Sequence, residues 1–213
     1  VHTVHDVTDR VDKPILATIP TSSTVAAIST DFTDDFRAAE AIRKLRTNLR
    51  YAMIDNSSKV ILVTSSVQGE GKSSVAGNLA KVMALAGEDV ILVDADLRRP
   101  GVQRNFDLED GLGLPEGLSG AASLEEALRT TSTAGLRILP CTDTPPNPSE
   151  LLSSQHMSEL VSFLAQSHVV IIDAPPVLPV TDSVILSRLA DSVIVVARVG
   201  RITVDQVEST VSS

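Results

Sequence analysis

The stretch from Lys59 to Ser74, KVILVTSSVQGEGKSS, constrains the fold more than any other part of the chain. Val60 to Val63 is an apolar run that reads as a buried strand, and it empties into a loop of small residues. The loop ends in Gly71-Lys72-Ser73, after which Ser74 to Ala86 carries the apolar spacing of a helix. Strand, glycine-bearing loop, Gly-Lys-Ser and helix, in that order, are the setting of a phosphate-binding loop. The segment Gly69, Glu70, Gly71, Lys72, Ser73 and Ser74 would wrap phosphate oxygens with its backbone N–H groups, aided by the positive end of the helix. Lys72 would reach the outer phosphates, and the Ser73 hydroxyl would bind magnesium. One position departs from the usual pattern: Ser66, five before Gly71, stands where glycine is the rule. A glycine turn with a chance lysine is the alternative reading.

The rest of the composition suits that setting. The chain has 213 residues, enough for one sizeable domain with a real core. Hydrophobic residues make up 43% but aromatics only 2%, so the core must be Val, Ile, Leu and Ala. That aliphatic bias fits a parallel sheet buried on both faces. The net charge of −9 argues against a nucleic-acid binder that relies on neutralising phosphates. Cys141 is the sole cysteine, which excludes an internal disulfide, a CxxC redox pair and a cysteine-cluster metal site, and fits a reduced cytosolic setting. No apolar run approaches the roughly 18 to 20 residues of a membrane span, and no signal peptide is visible. The chain starts at Val1 without a methionine and stops at Ser213 within a helix-like pattern, so it reads as a piece of a longer protein.

Along the chain, residues 1–30 are polar and punctuated by Pro14 and Pro20, a linker in which only Pro14 to Ile19 could dock. Residues 31–213 form the expected domain. A helix is expected from Thr33, with Asp34 and Asp35 near its start, to about Ile54, with Phe36, Ala39, Ile42, Leu45 and Leu49 as its apolar stripe. Tyr51 falls in the same pattern and reads as core. Glu40, Arg43 and Arg46 recur every three residues and share a face, which is either simply solvated or a contact between copies.

Val90 to Val93 reads as a second buried strand, ending in Asp94-Ala95-Asp96 and Leu97-Arg98-Arg99-Pro100. Two carboxylates at the end of a buried strand are costly unless paired or metal-linked, and that end is where ligands bind in an open α/β sheet. A merely solvated acidic pair is the alternative. Short helical pieces are expected in Gly101 to Gly120 and a helix near Ser123 to Arg129, with Glu126 at the capping-box position. A strand follows at Leu136 to Leu139. A further helix should start at Asn147-Pro148-Ser149-Glu150, with Asn147 as cap, and reach Ala165.

His168 to Ile172 is a third apolar strand, closed by Asp173 and Ala174-Pro175-Pro176. A hydrophobic run ended by one aspartate is the second half of a P-loop nucleotide site, where the carboxylate holds magnesium. Asp182 begins the next helix and reads as its cap. Ser192 to Ala197 is another strand, and a helix starts at Thr203. Strands alternating with helices predict an α/β chain: a doubly wound, mostly parallel sheet flanked by helices. His2, His5, His156 and His168 share no metal-ligand spacing.

Three segments converge: GEGKS at Gly69 to Ser73, ILVDADLRRP at Ile91 to Pro100, and VVIIDAPP at Val169 to Pro176. Together they resemble the bacterial tyrosine kinases of polysaccharide co-polymerase systems, members of the P-loop NTPase superfamily. AEAIRKLRTNLRY near Ala39 to Tyr51 and PPNPSELL at Pro145 to Leu152 resemble two further segments of that family, and PILATIP at Pro14 to Pro20 resembles the stretch that joins its kinase to a membrane-anchored half. The resemblance implies an ATP- and Mg2+-dependent protein-tyrosine autokinase that regulates capsule or exopolysaccharide assembly at the cytoplasmic face of the membrane. It implies that Lys72 stabilises the transferring phosphate, that Asp94 partners the attacking tyrosine hydroxyl, and that Ser73, Asp96 and Asp173 surround the metal. The division between base and metal ligand among the aspartates stays open. Glu40, Arg43 and Arg46 match the face through which these kinases associate into rings. Implied partners are a transmembrane co-polymerase domain, fused or separate, further copies of the chain, and protein tyrosine substrates.

Two departures accompany the resemblance. The family's tyrosine-rich tail and a final strand after the last helix are not in this sequence. Rival readings share the fold: a partition- or septum-placement-type ATPase switch, or a co-polymerase regulator that binds nucleotide without catalysis. Val67 stands where such switches usually carry a second lysine, and Asp96-Leu97-Arg98-Arg99-Pro100 favours the kinase.

Overall fold

The computed structural model describes residues 1, 3–28, 35–53 and 59–213. Its centre is a six-stranded sheet of β1 (Val60–Ser65), β2 (Val90–Asp94), β3 (Arg129–Thr130), β4 (Leu136–Leu139), β5 (Val169–Asp173) and β6 (Ser192–Val196). The strand order is β3-β4-β2-β5-β1-β6. All neighbours are parallel except β3, which runs antiparallel to β4.

Successive residues of a strand point to opposite faces, so a strand that is apolar at every position must be covered on both sides. Ile61, Val63, Leu92, Ile138 and Ile171 pack under the helices Phe36–Ala52 and Lys72–Leu85, through Leu45, Leu49, Val75, Leu79 and Met83. Leu62, Ile91, Val93, Val170 and Ile172 face the other layer, where Leu114, Leu118, Leu152, Met157, Val161, Leu164 and Leu186 cover them. The expected doubly wound α/β architecture is thereby observed.

Some local expectations need correction. The helix expected from Asn147 to Ala165 is two helices, Pro148–Leu152 and Gln155–Ala165. Adjacent serines break it. Ser153 and Ser154 turn their hydroxyls back onto the carbonyls of Glu150 and Leu151, and Ser154 then accepts from the N–H of Met157 to cap the second helix. Asn147 makes no capping bond; its amide donates to Glu150 instead. The helix near Ser123 is only Leu124–Ala127, with Ser123 and Glu126 forming the expected capping box. The chain then turns extended at Leu128 to make β3, a strand of two residues whose pairing with β4 no local pattern announces.

The helix Phe36–Ala52 starts at Asp35, whose carboxylate accepts from the N–H of Ala38. Thr33, Asp34 and Ile54, expected near its ends, lie outside the described residues, as does His2. Phe36 and Tyr51 do not join the buried stripe: they are 73% and 69% exposed. Ala38, Ile42, Leu45 and Leu49 line the core side. Phe36 and Tyr51 each sit two residues from that line, about 200° around the helix.

Leu16, Ala17 and Ile19 of the amino-terminal segment pack against the core, and the Asn48 side chain donates to the carbonyl of Leu16. Asn78 and Lys81 of the P-loop helix hold the carbonyls of Val25 and Ile28. Val11 forms a small cluster with Ile202 and Val207 of the helix Val204–Ser212 and its approach. Among the described residues no helix is long and apolar enough to cross a membrane.

Candidate active site

The phosphate-binding loop leaves the carboxyl end of β1 and enters the helix at Lys72. Gly69 and Gly71 hold φ of +81° and +91°, the left-handed region that favours glycine. At Gly69 the backbone angle alone sets the requirement, because the atom a Cβ would approach is the mobile end of the exposed Arg201 side chain. Glu70 is buried and folds back, accepting from the N–H groups of Val67 (2.9 Å) and Arg198 (3.1 Å). It therefore ties the loop to the chain leaving β6.

Asp94 and Asp173 end the neighbouring strands β2 and β5 in register. Both are fully buried. Asp94 Oδ2 accepts from the N–H groups of Gly101 (3.1 Å) and Val102 (3.0 Å), and Oδ1 from that of Asp96 (3.3 Å). The DADLRRP segment thus curls around its own first aspartate. Burial, then the charge of Asp173, pushes the Asp94 carboxyl well above the usual carboxylate range, against the pull of those amides and Lys72. Burial also raises Asp173, with Lys72 opposing.

Lys72 is the cation of this cluster. Its Nζ lies 2.8 Å from Asp96 Oδ2 and 3.7 Å from Asp173 Oδ1. Burial pulls its pKa down, but Asp173 and Asp96 more than compensate, and the net shift is upward. The Ser73 hydroxyl is 3.5 Å from the same Nζ. The residues expected from three separate motifs, Lys72, Ser73, Asp94, Asp96 and Asp173, are therefore together in one largely buried cluster of charged and polar side chains. Glu40 and Arg43 lie far out on their helix, exposed and paired with each other at 3.4 Å; Arg46 is half-buried.

Three contacts here had no signal in the sequence pattern. Ser66, the departure from glycine, is fully buried and accepts from Thr210 of the last helix at 2.7 Å. The Glu70 carboxylate spans to Arg198. Asp182 makes no capping bond to its helix; it is 1% exposed and is bound by Arg98 and Ser149.

A mostly parallel sheet of this order, with a glycine–lysine–serine loop after β1 and aspartates at the ends of β2 and β5, defines a P-loop NTPase-type phosphotransfer fold. No family model matches the chain. The tyrosine-protein kinase YwqD of Bacillus subtilis is 41% identical over 169 residues, 79% of this chain and 71% of its own. The tyrosine-protein kinase wzc of Salmonella typhimurium is 35% identical over 82% of this chain and 24% of its own. The kinase domain of the Escherichia coli tyrosine kinase ETK superposes with a TM-score of 0.93 at 29% identity, covering 100% of this chain and 88% of that one. The chain belongs to the bacterial tyrosine kinases. It spans most of the Bacillus protein but about a quarter of the Salmonella one.

Proposed function

We propose that the chain transfers the γ-phosphoryl group of ATP to protein tyrosine hydroxyls, and that it does so within a polysaccharide assembly system beside a membrane-anchored co-polymerase. The observation that carries this reading is the convergence of Lys72, Asp96, Asp173 and Asp94 in one buried cluster beside the phosphate-binding loop. Such a cluster suits phosphoryl transfer, which asks for positioning, charge neutralisation and one group to receive a proton.

Each side chain has a task that its surroundings support. The loop amides of residues 69–74 hold the phosphates, and Lys72 exchanges its Asp96 partner for the outer phosphate oxygens. The acceptor hydroxyl attacks phosphorus, the bond to the β-phosphate oxygen breaks, and ADP leaves. Asp94 receives the hydroxyl proton, a role its raised pKa favours. Among the described residues no three His, Cys, Asp or Glu side chains are gathered to hold a metal by themselves. Both buried oxygens of Asp173 nonetheless make no hydrogen bond, Oδ1 having only the Lys72 ammonium at 3.7 Å, and a hydrated cation would suit them. Ser73, Asp96 and Asp173 would hold a magnesium ion, which would supply charge neutralisation at the phosphates.

Glu40, Arg43 and Arg46 are proposed as the face through which copies associate. Incubation of the chain with ATP, Mg2+ and a tyrosine-containing polypeptide, read with an anti-phosphotyrosine antibody, tests the kinase reading. Phosphotyrosine that disappears in Lys72→Met supports it. ATP hydrolysis without phosphotyrosine on any protein sinks it.

A further inference from the structure

Asp182 is a buried carboxyl that none of the roles above employs. Its Oδ2 accepts from Arg98 Nε at 2.8 Å and its Oδ1 from the Ser149 hydroxyl at 2.6 Å. Arg98 Nη2 closes the triangle by donating to Ser149 Oγ at 2.8 Å. The three residues come from three segments far apart in sequence. Arg98 follows the Asp94-Ala95-Asp96 turn, Ser149 opens the helix after the proline loop, and Asp182 opens the helix after Asp173. A carboxyl so buried is costly unless paired, and breaking such a pair costs more than the pair itself contributes.

The place of this triangle gives it a consequence for the reaction. Asp96 is held by the Lys72 ammonium and by one amide of its own loop, that of Arg99 at 3.2 Å. Nucleotide phosphates compete for Lys72, so the ion pair that fixes Asp96 weakens when the nucleotide enters. Arg98 lies two residues on, its charge acts on Asp96, and its own position is set by Asp182 and Ser149. Nothing in the phosphate-binding loop holds it. The geometry points to Asp182, with Ser149, as a positioning residue for phosphoryl transfer: it clamps Arg98 so that Asp94 and Asp96 keep their places once Lys72 has turned to the nucleotide. The clamp rests on the kinase reading above.

The test compares the wild-type chain with Asp182→Asn, Arg98→Ala, Ser149→Ala and the double variant Arg98→Ala/Asp182→Asn. Two quantities are read: kcat for phosphotyrosine formation on a tyrosine-containing polypeptide at saturating ATP and Mg2+, and the Kd for ATP by titration. A displacement of a reacting group by an ångström costs on the order of 100-fold in rate. Asp182→Asn and Arg98→Ala should each lower kcat about 10- to 100-fold while the Kd for ATP stays within about twofold. The double variant should be no worse than the poorer single one, because the two residues act as one clamp. Ser149→Ala keeps the charge pair and should lose about two- to threefold; it carries the test if the other two fail to fold. Unchanged kcat in these variants, equal losses in kcat and ATP affinity, or additive losses in the double variant would each overturn the clamp. A wild-type chain that makes no phosphotyrosine would remove the kinase reading and the clamp together, whereas an active wild type with equally active variants would remove the clamp alone.

Discussion

Thr210 donates a hydrogen bond to Ser66 at 2.7 Å, joining the last helix to the start of the phosphate-binding loop. Both hydroxyls are buried. The serine that breaks the usual glycine pattern is thus the anchor of a helix 144 residues away. Ser66→Gly would restore the common loop sequence and lose that anchor. A buried hydrogen bond contributes about 0.5–1.5 kcal/mol net, and the added backbone freedom of glycine costs more. For a chain of this length Tm should fall by roughly 2–4 °C per kcal/mol. Amide protection in residues 204–212 should fall with it, as read by hydrogen exchange. An unchanged Tm together with unchanged protection would show that the bond is idle.

Lys72 sits among three carboxylates, so its loss should affect both stability and catalysis. In Lys72→Met, Asp96 and Asp173 lose their cation while remaining buried. Removing one partner of a buried pair costs about 3–5 kcal/mol, and a missing oxyanion-type contact costs on the order of 100- to 1,000-fold in kcat. Calorimetry without nucleotide and a phosphotyrosine time course measure the two effects. A variant as stable as wild type would mean that the aspartates are neutral without the lysine.

Asp173 supplies a pH dependence whose sign follows from its surroundings. Burial raises its pKa in the folded chain, with Lys72 only partly opposing. The folded state therefore favours the protonated form. Its unfavourable contribution sets in as pH rises above the ordinary aspartate value of about 3.9 and grows up to the raised folded value. Asp173→Asn, whose amide can donate to its carboxylate neighbours, should be more stable than wild type at neutral pH. Below about pH 4 the two should converge, and phosphotransfer should be lost throughout. Denaturant midpoints at several pH values check this; a wild type more stable than the variant at pH 7 contradicts it.

The parts of this site that were legible in the sequence are those in which local pattern and chemistry coincide. Asp94 and Asp173 each close an apolar run, and burial on both faces makes such runs unmistakable. Lys72 and Ser73 follow a glycine that must take a positive φ. The rest depends on long-range partners. Asp182 stands at a helix start, where an acid reads as a cap, and only the tertiary arrival of Arg98 and Ser149 gives it a different task. Glu70 lies inside the motif, but its carboxylate is committed to an amide 128 residues on. Two-residue β3 exists only because β4 offers it an edge. Tyr51 departs from the expected stripe for a simpler reason: a residue two positions from the last core leucine, Leu49, faces away from the core.

Arg43 and Glu40 face solvent on the same helix, side chains 50% and 61% exposed, and satisfy each other at 3.4 Å. An exposed pair of this kind contributes little to the fold. Arg43→Ala/Arg46→Ala should therefore leave Tm within a few degrees of wild type, Arg46 losing some packing of its half-buried stem. If this face joins copies, the double variant should sediment as a smaller species at a concentration where wild type associates. Equal sedimentation of the two would exclude the face as the contact.

Tyr51 is the one tyrosine of the sequence, and its 69% exposure separates it from the core. Its neighbour Arg50 pairs with Glu88 at 2.8 Å, and Glu88 lies in the turn that leads into β2. Tyr51 is thus at the amino end of the sheet, whereas the phosphate-binding loop and the aspartates are at the carboxyl end. A chain cannot bring Tyr51 to its own pocket without unfolding the helix. Tyr51→Phe removes one exposed hydroxyl, a surface change within about 0.5 kcal/mol. Its Tm should match wild type to within roughly 2 °C, and its rate of phosphotransfer to an external tyrosine polypeptide should be the same. A fall in either would mean that the hydroxyl has a partner in the working assembly, and a mixture of Lys72→Met and Tyr51→Phe chains would then show whether that partner is a second copy.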